Sequence, residues 1–219
     1  MSRLAAYEAA RRCAAVLFPN RCPFCDGICG GADYGHETCF AELPFLKEPP
    51  EVPAGLSALY AVCSYEGTAR QAVIKYKAGS YVYSAEAFAV LMIEQLGEDI
   101  RRADAIVPVP STIDSFLDRG YTPGGKLAAL ISLRSGIPVK RALVTSPKKT
   151  NQKLLGAQQR RENAKGAFRL KKHADLTGKR VLLIDDVCTT GSTLSACAEL
   201  LKKAGAEEVF AAVFTKTRK

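Results

Sequence analysis

The sequence predicts an α/β fold, a parallel sheet flanked by helices, with a small cysteine-rich module at its N-terminal end. Three observations lead there. Beyond residue 59, short apolar runs alternate with stretches of helical periodicity, the pattern of a parallel sheet whose crossovers are helices. Five of the eight cysteines fall between Cys13 and Cys39. After them, Pro44, Pro49, Pro50 and Pro53 mark an extended linker over residues 44–55. A chain of 219 residues, 47% of them hydrophobic, suffices for one sizeable core and a small appendage. The expected organisation is residues 1–50 as a helix, a metal knuckle and the linker, and residues 51–219 as the main domain.

Taken in order, residues 4–17 read as an amphipathic helix, because Glu8, Arg11 and Arg12 interrupt an Ala-rich run. Residues 59–65 have strand composition, and 68–77 and 85–96 helical composition. Residues 105–109 form a short buried strand ending at Pro110, and 124–134 return to a helix. Residues 146–165 hold Lys148, Lys149, Lys153, Arg160, Arg161 and Lys165 against the single acid Glu162. The first half of that stretch reads as a mobile basic loop and the second as helical. A strong strand over 181–187, a helix over 193–204 closed by Gly205, and a strand over 208–214 complete the alternation. In such a sheet, ligands bind beyond the carboxyl ends of the strands.

No stretch approaches the roughly 20 consecutive apolar residues that a membrane helix needs, so no membrane span is expected. The charges in the first helix also break up the apolar segment of a secretory signal. Clustered cysteines favour a metal site in a reducing compartment, the cytoplasm, over a disulfide framework. A net charge of +9 implies attraction to phosphates, on nucleic acid or on a small anionic substrate.

The candidate site lies at residues 181–193. Val181, Leu182, Leu183 and Ile184 form a continuous apolar run, as for a strand buried on both faces, and Asp185 and Asp186 follow directly. Thr189, Thr190, Gly191, Ser192 and Thr193 then supply hydroxyls, a permissive glycine and backbone N–H groups at a helix start, where the dipole favours an anion. A ligand with its phosphate in that cradle could offer sugar hydroxyls to the two carboxylates, and ribose 5-phosphate, as in phosphoribosyl pyrophosphate, has that shape. The plainer alternative is an acidic turn and an ordinary helix cap. Residues 120–126 imitate a nucleotide P-loop, but Leu127 stands where a hydroxyl should meet magnesium, so that reading is discounted.

At the other end, Cys22 and Cys25, then His36 and Cys39, give two ligand pairs each separated by two residues, the spacing that grips one tetrahedral zinc. Cys29 competes with His36 for one position. A closed four-ligand site of this kind is structural, holding a small knuckle together rather than catalysing.

The run from Val181 to Thr193 matches, without a gap, the thirteen-residue signature of type I phosphoribosyltransferases. With the knuckle and the proline-rich link, the whole chain resembles the ComF family, named for bacterial competence for DNA uptake. Leu17-Phe18-Pro19, Tyr65-Glu66-Gly67 with Arg70, Lys75-Tyr76-Lys77, Pro108-Val109-Pro110-Ser111, Arg119-Gly120-Tyr121, Gln152, Arg160, Asn163 and Phe168 continue the pattern in order. The chain departs from the family in pairing His36 with Cys39 where a second Cys pair is usual, and in having Thr122-Pro123 where Asn-Gln is usual.

The resemblance implies a type I phosphoribosyltransferase-like sheet with a zinc knuckle. It implies that Asp185 and Asp186 hold the ribose hydroxyls at the reacting centre, and that Val187, Cys188, Thr189, Thr190, Gly191, Ser192 and Thr193 bind the 5-phosphate. Pro110, Ser111 and Thr112 would meet pyrophosphate, with Mg2+. The basic segment with Gln152 and Arg160 would be the flexible loop that closes over the leaving group. The implied reaction transfers the phosphoribosyl group to a nitrogen acceptor of unknown identity. A rival expectation is a non-catalytic protein that binds single-stranded DNA and docks a DNA-uptake helicase, with Lys171, Lys172, Lys202, Lys203, Lys216, Arg218 and Lys219 in the nucleic-acid surface.

Overall fold

The computed structural model of the chain describes residues 2–30, 34–79, 83–111, 117, 120–146 and 166–218. The chain begins with α1 (Arg3–Leu17), capped by the Ser2 side chain, and reaches the short α2 (Glu37–Ala41) through the cysteine-rich turns. Strand β1 (Leu59–Ser64) leads into α3 (Gly67–Lys77) and α4 (Ser84–Leu96), and a 3-10 turn (Gly97–Arg102) delivers β2 (Ala105–Pro108). Helix α5 (Pro123–Ser135), with Pro123 in its first turn, is followed by two three-residue strands, β3 (Leu143–Thr145) and β4 (Phe168–Leu170). The chain ends with β5 (Arg180–Cys188), α6 (Ser192–Lys203) and β6 (Glu208–Lys216).

Strands β1, β6, β5 and β2 pair in that order, and every pairing is parallel. The two central strands are apolar on both faces because both faces are covered. On β5, Leu182 and Ile184 belong to one cluster with Ile106, Phe88 and Leu127. The alternate residues Val181 and Leu183 belong to the other, with Leu194 and Leu201 of α6. Strand β6 divides in the same way, with Phe210 and Phe214 on the first face and Val209 and Val213 on the second. Phe88 stacks on Phe214 with ring centroids 3.9 Å apart and meets the edge of Tyr76 at 5.5 Å, which anchors α4 and α3 to the sheet.

The other expected helices and strands are present, while the helix expected in the second half of residues 146–165 lies outside the described residues. Strands β3 and β4, which pair antiparallel, had no signal in the sequence, since three residues are too few for a period to show. They bracket residues 147–165, so the expected basic loop, with Gln152 and Arg160, lies outside the described residues, as does Thr112. The proline-rich segment has neither helix nor regular strand, bending at residues 47–48 and turning at 54–55, and it is packed. Phe45 forms an antiparallel bridge to Cys63, and the Leu46 N–H donates to the Val62 carbonyl, so this segment borders the outer edge of β1.

The N-terminal helix is held by polar groups, and none of its residues is fully buried. Arg134 of α5 donates to Glu86 of α4 (2.9 Å), to Glu8 of α1 (3.2 Å) and to the Tyr34 hydroxyl (2.7 Å). Tyr34 donates to Glu8 (2.7 Å), and Tyr7 donates to Glu86. One guanidinium therefore ties α1, the cysteine-rich turns, α4 and α5 together. Among the described residues, no helix is long and apolar enough to cross a membrane.

Candidate phosphate site and metal knuckle

At the carboxyl end of the sheet, β5 carries its two acids just before its last residues, Val187 and Cys188, beside the point where β2 gives way to Pro110. The Val109 N–H donates to the Ile184 carbonyl, 2.9 Å, so β2 and the start of its following loop stay in register with β5 up to the acids. A cavity of about 350 Å³ opens there, lined by Asp185, Asp186, Val187, Thr189 and Thr193 together with Pro110, Ser111 and Lys77. That is the size of a small polar ligand. Helix α5 closes the floor: a side-chain carbon at Gly124 would lie 3.1 Å from the Ile184 carbonyl oxygen and 3.2 Å from that of Val109. Glycine there lets the helix start approach the strand ends.

The acid pair is electrostatically strained. Asp186 is buried, one of its oxygens lies 3.2 Å from the Lys77 ammonium, and the other, Oδ2, is buried with no hydrogen-bond partner among the described residues. An unpaired buried carboxylate oxygen is costly, and a ligand hydroxyl or a cation would relieve it. Asp185 accepts the Asp186 N–H at 2.9 Å. Burial, and next the adjoining Asp186 carboxylate, push the Asp185 carboxyl well above the usual range, with Lys77 pulling the other way.

The following loop makes the turn the glycine predicts. Gly191 has φ +79°, and a side-chain carbon there would lie 2.5 Å from Cγ of Pro53, so the linker packs directly on the loop. The Thr190 and Ser192 hydroxyls bond each other at 2.7 Å, and Ser192 opens α6. Cys188 is buried, and burial pushes its thiol up to about 11, so it is a packing residue behind the cradle rather than a nucleophile.

Of the residues expected here, Pro110, Ser111, Asp185, Asp186, Val187, Thr189 and Thr193 share the one cavity. Gly191 and Cys188 shape the loop from behind. Lys77 was visible only as part of Lys75-Tyr76-Lys77, with no role attached. Its place comes from the packing of α3, whose Tyr76 hydroxyl donates to the Pro123 carbonyl at 2.9 Å. Lys216 is a correction: it is only 9% exposed, and its ammonium donates to the Thr189 carbonyl at 2.8 Å, so it cannot contribute to a nucleic-acid surface.

In the cysteine-rich turns, the ligand atoms of Cys22, Cys25, His36 and Cys39 all lie within 4.8 Å of one another. Residues Arg21 and Ile28 bridge antiparallel, and Asp26 turns the chain with φ +66°, which folds Cys22 and Cys25 onto one side of a hairpin. His36 places Nδ1 3.2 Å from the Cys25 sulfur, while Nε2 meets the Ile28 carbonyl at 3.0 Å. That outer contact fixes the ring with Nδ1 facing the sulfurs, the usual support for a ligating histidine. Cys29 is buried in the core cluster, outside this group of four. Three sulfurs and one nitrogen at this separation fit a tetrahedral zinc ion.

Comparisons with known proteins give the family. The phosphoribosyl transferase domain family matches residues 90–219, more than half of the chain, and the chain belongs to that family. The ComF resemblance also holds. Competence protein F of Haemophilus influenzae is 38% identical over 112 residues, 50% of this chain and 49% of that protein. The DNA utilization protein YhgH of Escherichia coli K12 is 35% identical over 107 residues, 48% of this chain and 46% of that one. The aligned region thus spans about half the length of these curated relatives. Among solved structures, the chain is similar to a purine phosphoribosyltransferase from Pyrococcus horikoshii Ot3, 26% identical, covering 58% of this chain and 69% of that one with a TM-score of 0.39.

Proposed function

We propose that the chain binds phosphoribosyl pyrophosphate, or a related ribose 5-phosphate, with Mg2+, and transfers the phosphoribosyl group to a nitrogen acceptor. The observation that carries this reading is the shared cavity: a strained acid pair, one of whose oxygens lacks a partner, faces the same 350 Å³ space as a hydroxyl-rich helix start. Asp185 and Asp186 accept the ribose hydroxyls and fix the ring. The loop of residues 187–193 takes the 5-phosphate, Val187, Thr189 and Thr193 facing the cavity and Cys188 and Gly191 shaping the loop from behind. Pro110 and Ser111, with Thr112 beyond the described residues, lie on the side where pyrophosphate would leave, and Gln152 and Arg160 would close over it. Magnesium supplies charge neutralisation for that leaving group. Lys77 must exchange its Asp186 partner for the ligand, which makes it the cation nearest the ribose.

The knuckle is proposed to hold one structural Zn2+ on Cys22, Cys25, His36 and Cys39. The division into residues 1–50 and 51–219 belongs to the same proposal. It is a division of chemistry rather than of packing, since Phe24 lies 6.4 Å from Phe88, centroid to centroid.

A second reading is favoured by the names of the relatives, which refer to competence and DNA utilization. In it the chain is a non-catalytic scaffold that contacts single-stranded DNA and a helicase partner. Binding to DNA phosphates would weaken steeply with salt, whereas a closed site for one small ligand would respond less. Pyrophosphate release from magnesium phosphoribosyl pyrophosphate, assayed against a panel of amines and nitrogen bases, separates the two. Release that disappears in Asp185→Asn/Asp186→Asn supports the enzyme. Absence of release with every acceptor, together with salt-sensitive DNA binding, supports the scaffold.

A further inference from the structure

Strand β6 ends directly behind the cradle. The Thr217 N–H and hydroxyl donate to the Cys188 carbonyl at 3.0 and 3.2 Å, and the Lys216 ammonium donates to the Thr189 carbonyl at 2.8 Å and to the Thr217 carbonyl at 2.9 Å. In a trans peptide the C=O and the following N–H point in opposite directions. Holding the carbonyls of Cys188 and Thr189 against β6 therefore turns the N–H groups of Thr189 and Thr190 away from it, toward the cradle. Among the described residues these two N–H groups have no acceptor.

Lys216 is also an anomaly of charge. It is 9% exposed and forms no ion pair among the described residues, so a buried ammonium is held by carbonyl dipoles alone. Burying a cation in this way is costly unless a counter-charge completes the site. The start of α6 adds further positive potential on the same loop. Two sources of positive potential, the Lys216 ammonium and the helix start, converge on one loop.

We propose that Lys216 is a positioning residue of the phosphate site: it aims the loop N–H groups and, without touching the ligand, supplies the fixed charge that matches a phosphate monoester dianion. The consequence is a substrate class. The cradle selects a terminal sugar monoester over a phosphodiester, whose single charge leaves the site under-compensated, and so over the backbone of a DNA strand. This inference rests on the ribose 5-phosphate reading above and adds to it the residue that sets the charge of the ligand.

The experiment is calorimetric titration of the full chain at pH 8 with ribose 5-phosphate and with its methyl phosphodiester, in wild type, Lys216→Met and Lys216→Arg. The expected result is at least tenfold preference for the monoester in wild type, near-loss of that preference in Lys216→Met, and substantial rescue in Lys216→Arg. A merely structural lysine would shift both ligands together and leave their ratio unchanged. Equal binding of the two esters by wild type overturns the inference even if Lys216→Met fails to fold, and so does an unchanged ratio in a folded Lys216→Met. Absence of ribose 5-phosphate binding by wild type is a different outcome, since it removes the phosphate site itself and the inference with it.

Discussion

At the scale of single residues, Asp185 carries opposite demands. Its carboxyl is raised well above the usual carboxylate range by burial and by Asp186, so ionising it in the folded, ligand-free protein costs stability. A raised folded value means that its contribution to stability is complete below the unfolded carboxylate range and is lost as pH rises through the folded value. Asp185→Asn, which keeps an oxygen for the Asp186 N–H, should therefore raise the ligand-free melting temperature by a few degrees at pH 7.5, and the gain should vanish near pH 4. Thermal melts across that range check it. On the proposed ribose-phosphate reading, in which ribose hydroxyls donate to the ionised carboxylate, the same substitution should weaken ligand binding. In the wild type, binding should tighten as pH rises through the Asp185 titration and release a proton, measurable by calorimetry in two buffers of different ionisation enthalpy. Stability traded for a ligand is the mark of a working site.

Elements come next. Gly191 joins β5 to α6 in a left-handed conformation against Pro53. Gly191→Ala should cost about 2 kcal/mol, from the conformation itself and the displaced proline, and should weaken phosphate binding more than a remote change of equal cost. Urea unfolding and ribose 5-phosphate titration read the two effects. The Arg134 cluster makes a second element-scale prediction. Arg134→Met strands Glu8 and Glu86, the latter 8% exposed, and should cost about 3 kcal/mol in urea unfolding. Adding Glu86→Gln to Arg134→Met should recover part of the loss, because the stranded charge is removed with its partner.

At the scale of the whole molecule, the sequence shows chemistry that is local and hides chemistry made by strand order. The β5 run with its acids and the glycine after the two threonines complete their geometry within a few residues, and Cys22, Cys25, His36 and Cys39 carry a paired spacing between positions 22 and 39, so all were legible. Lys216 reaches Thr189 across 27 positions only because β6 lies beside β5 in the sheet. Arg134 meets Glu8 across 126 positions because α1 returns to α5. Neither contact leaves a period or motif to read. The knuckle joins the core through Phe24 and Leu43, so metal loss should be felt beyond it. Elemental analysis should find one zinc per chain in wild type and in Cys29→Ser, and loss of zinc with a lowered melting temperature in Cys25→Ser and His36→Ala.

In the proposed function, the acid pair and the loop after it form one ribose-phosphate site. Calorimetric titration of magnesium phosphoribosyl pyrophosphate into wild type and into Asp185→Asn/Asp186→Asn tests it most directly. Micromolar binding is expected in wild type, weakened about 100-fold or more in the variant, as for hydrogen bonds to charged groups. No binding by a folded wild type, or equal binding by both proteins, would contradict it.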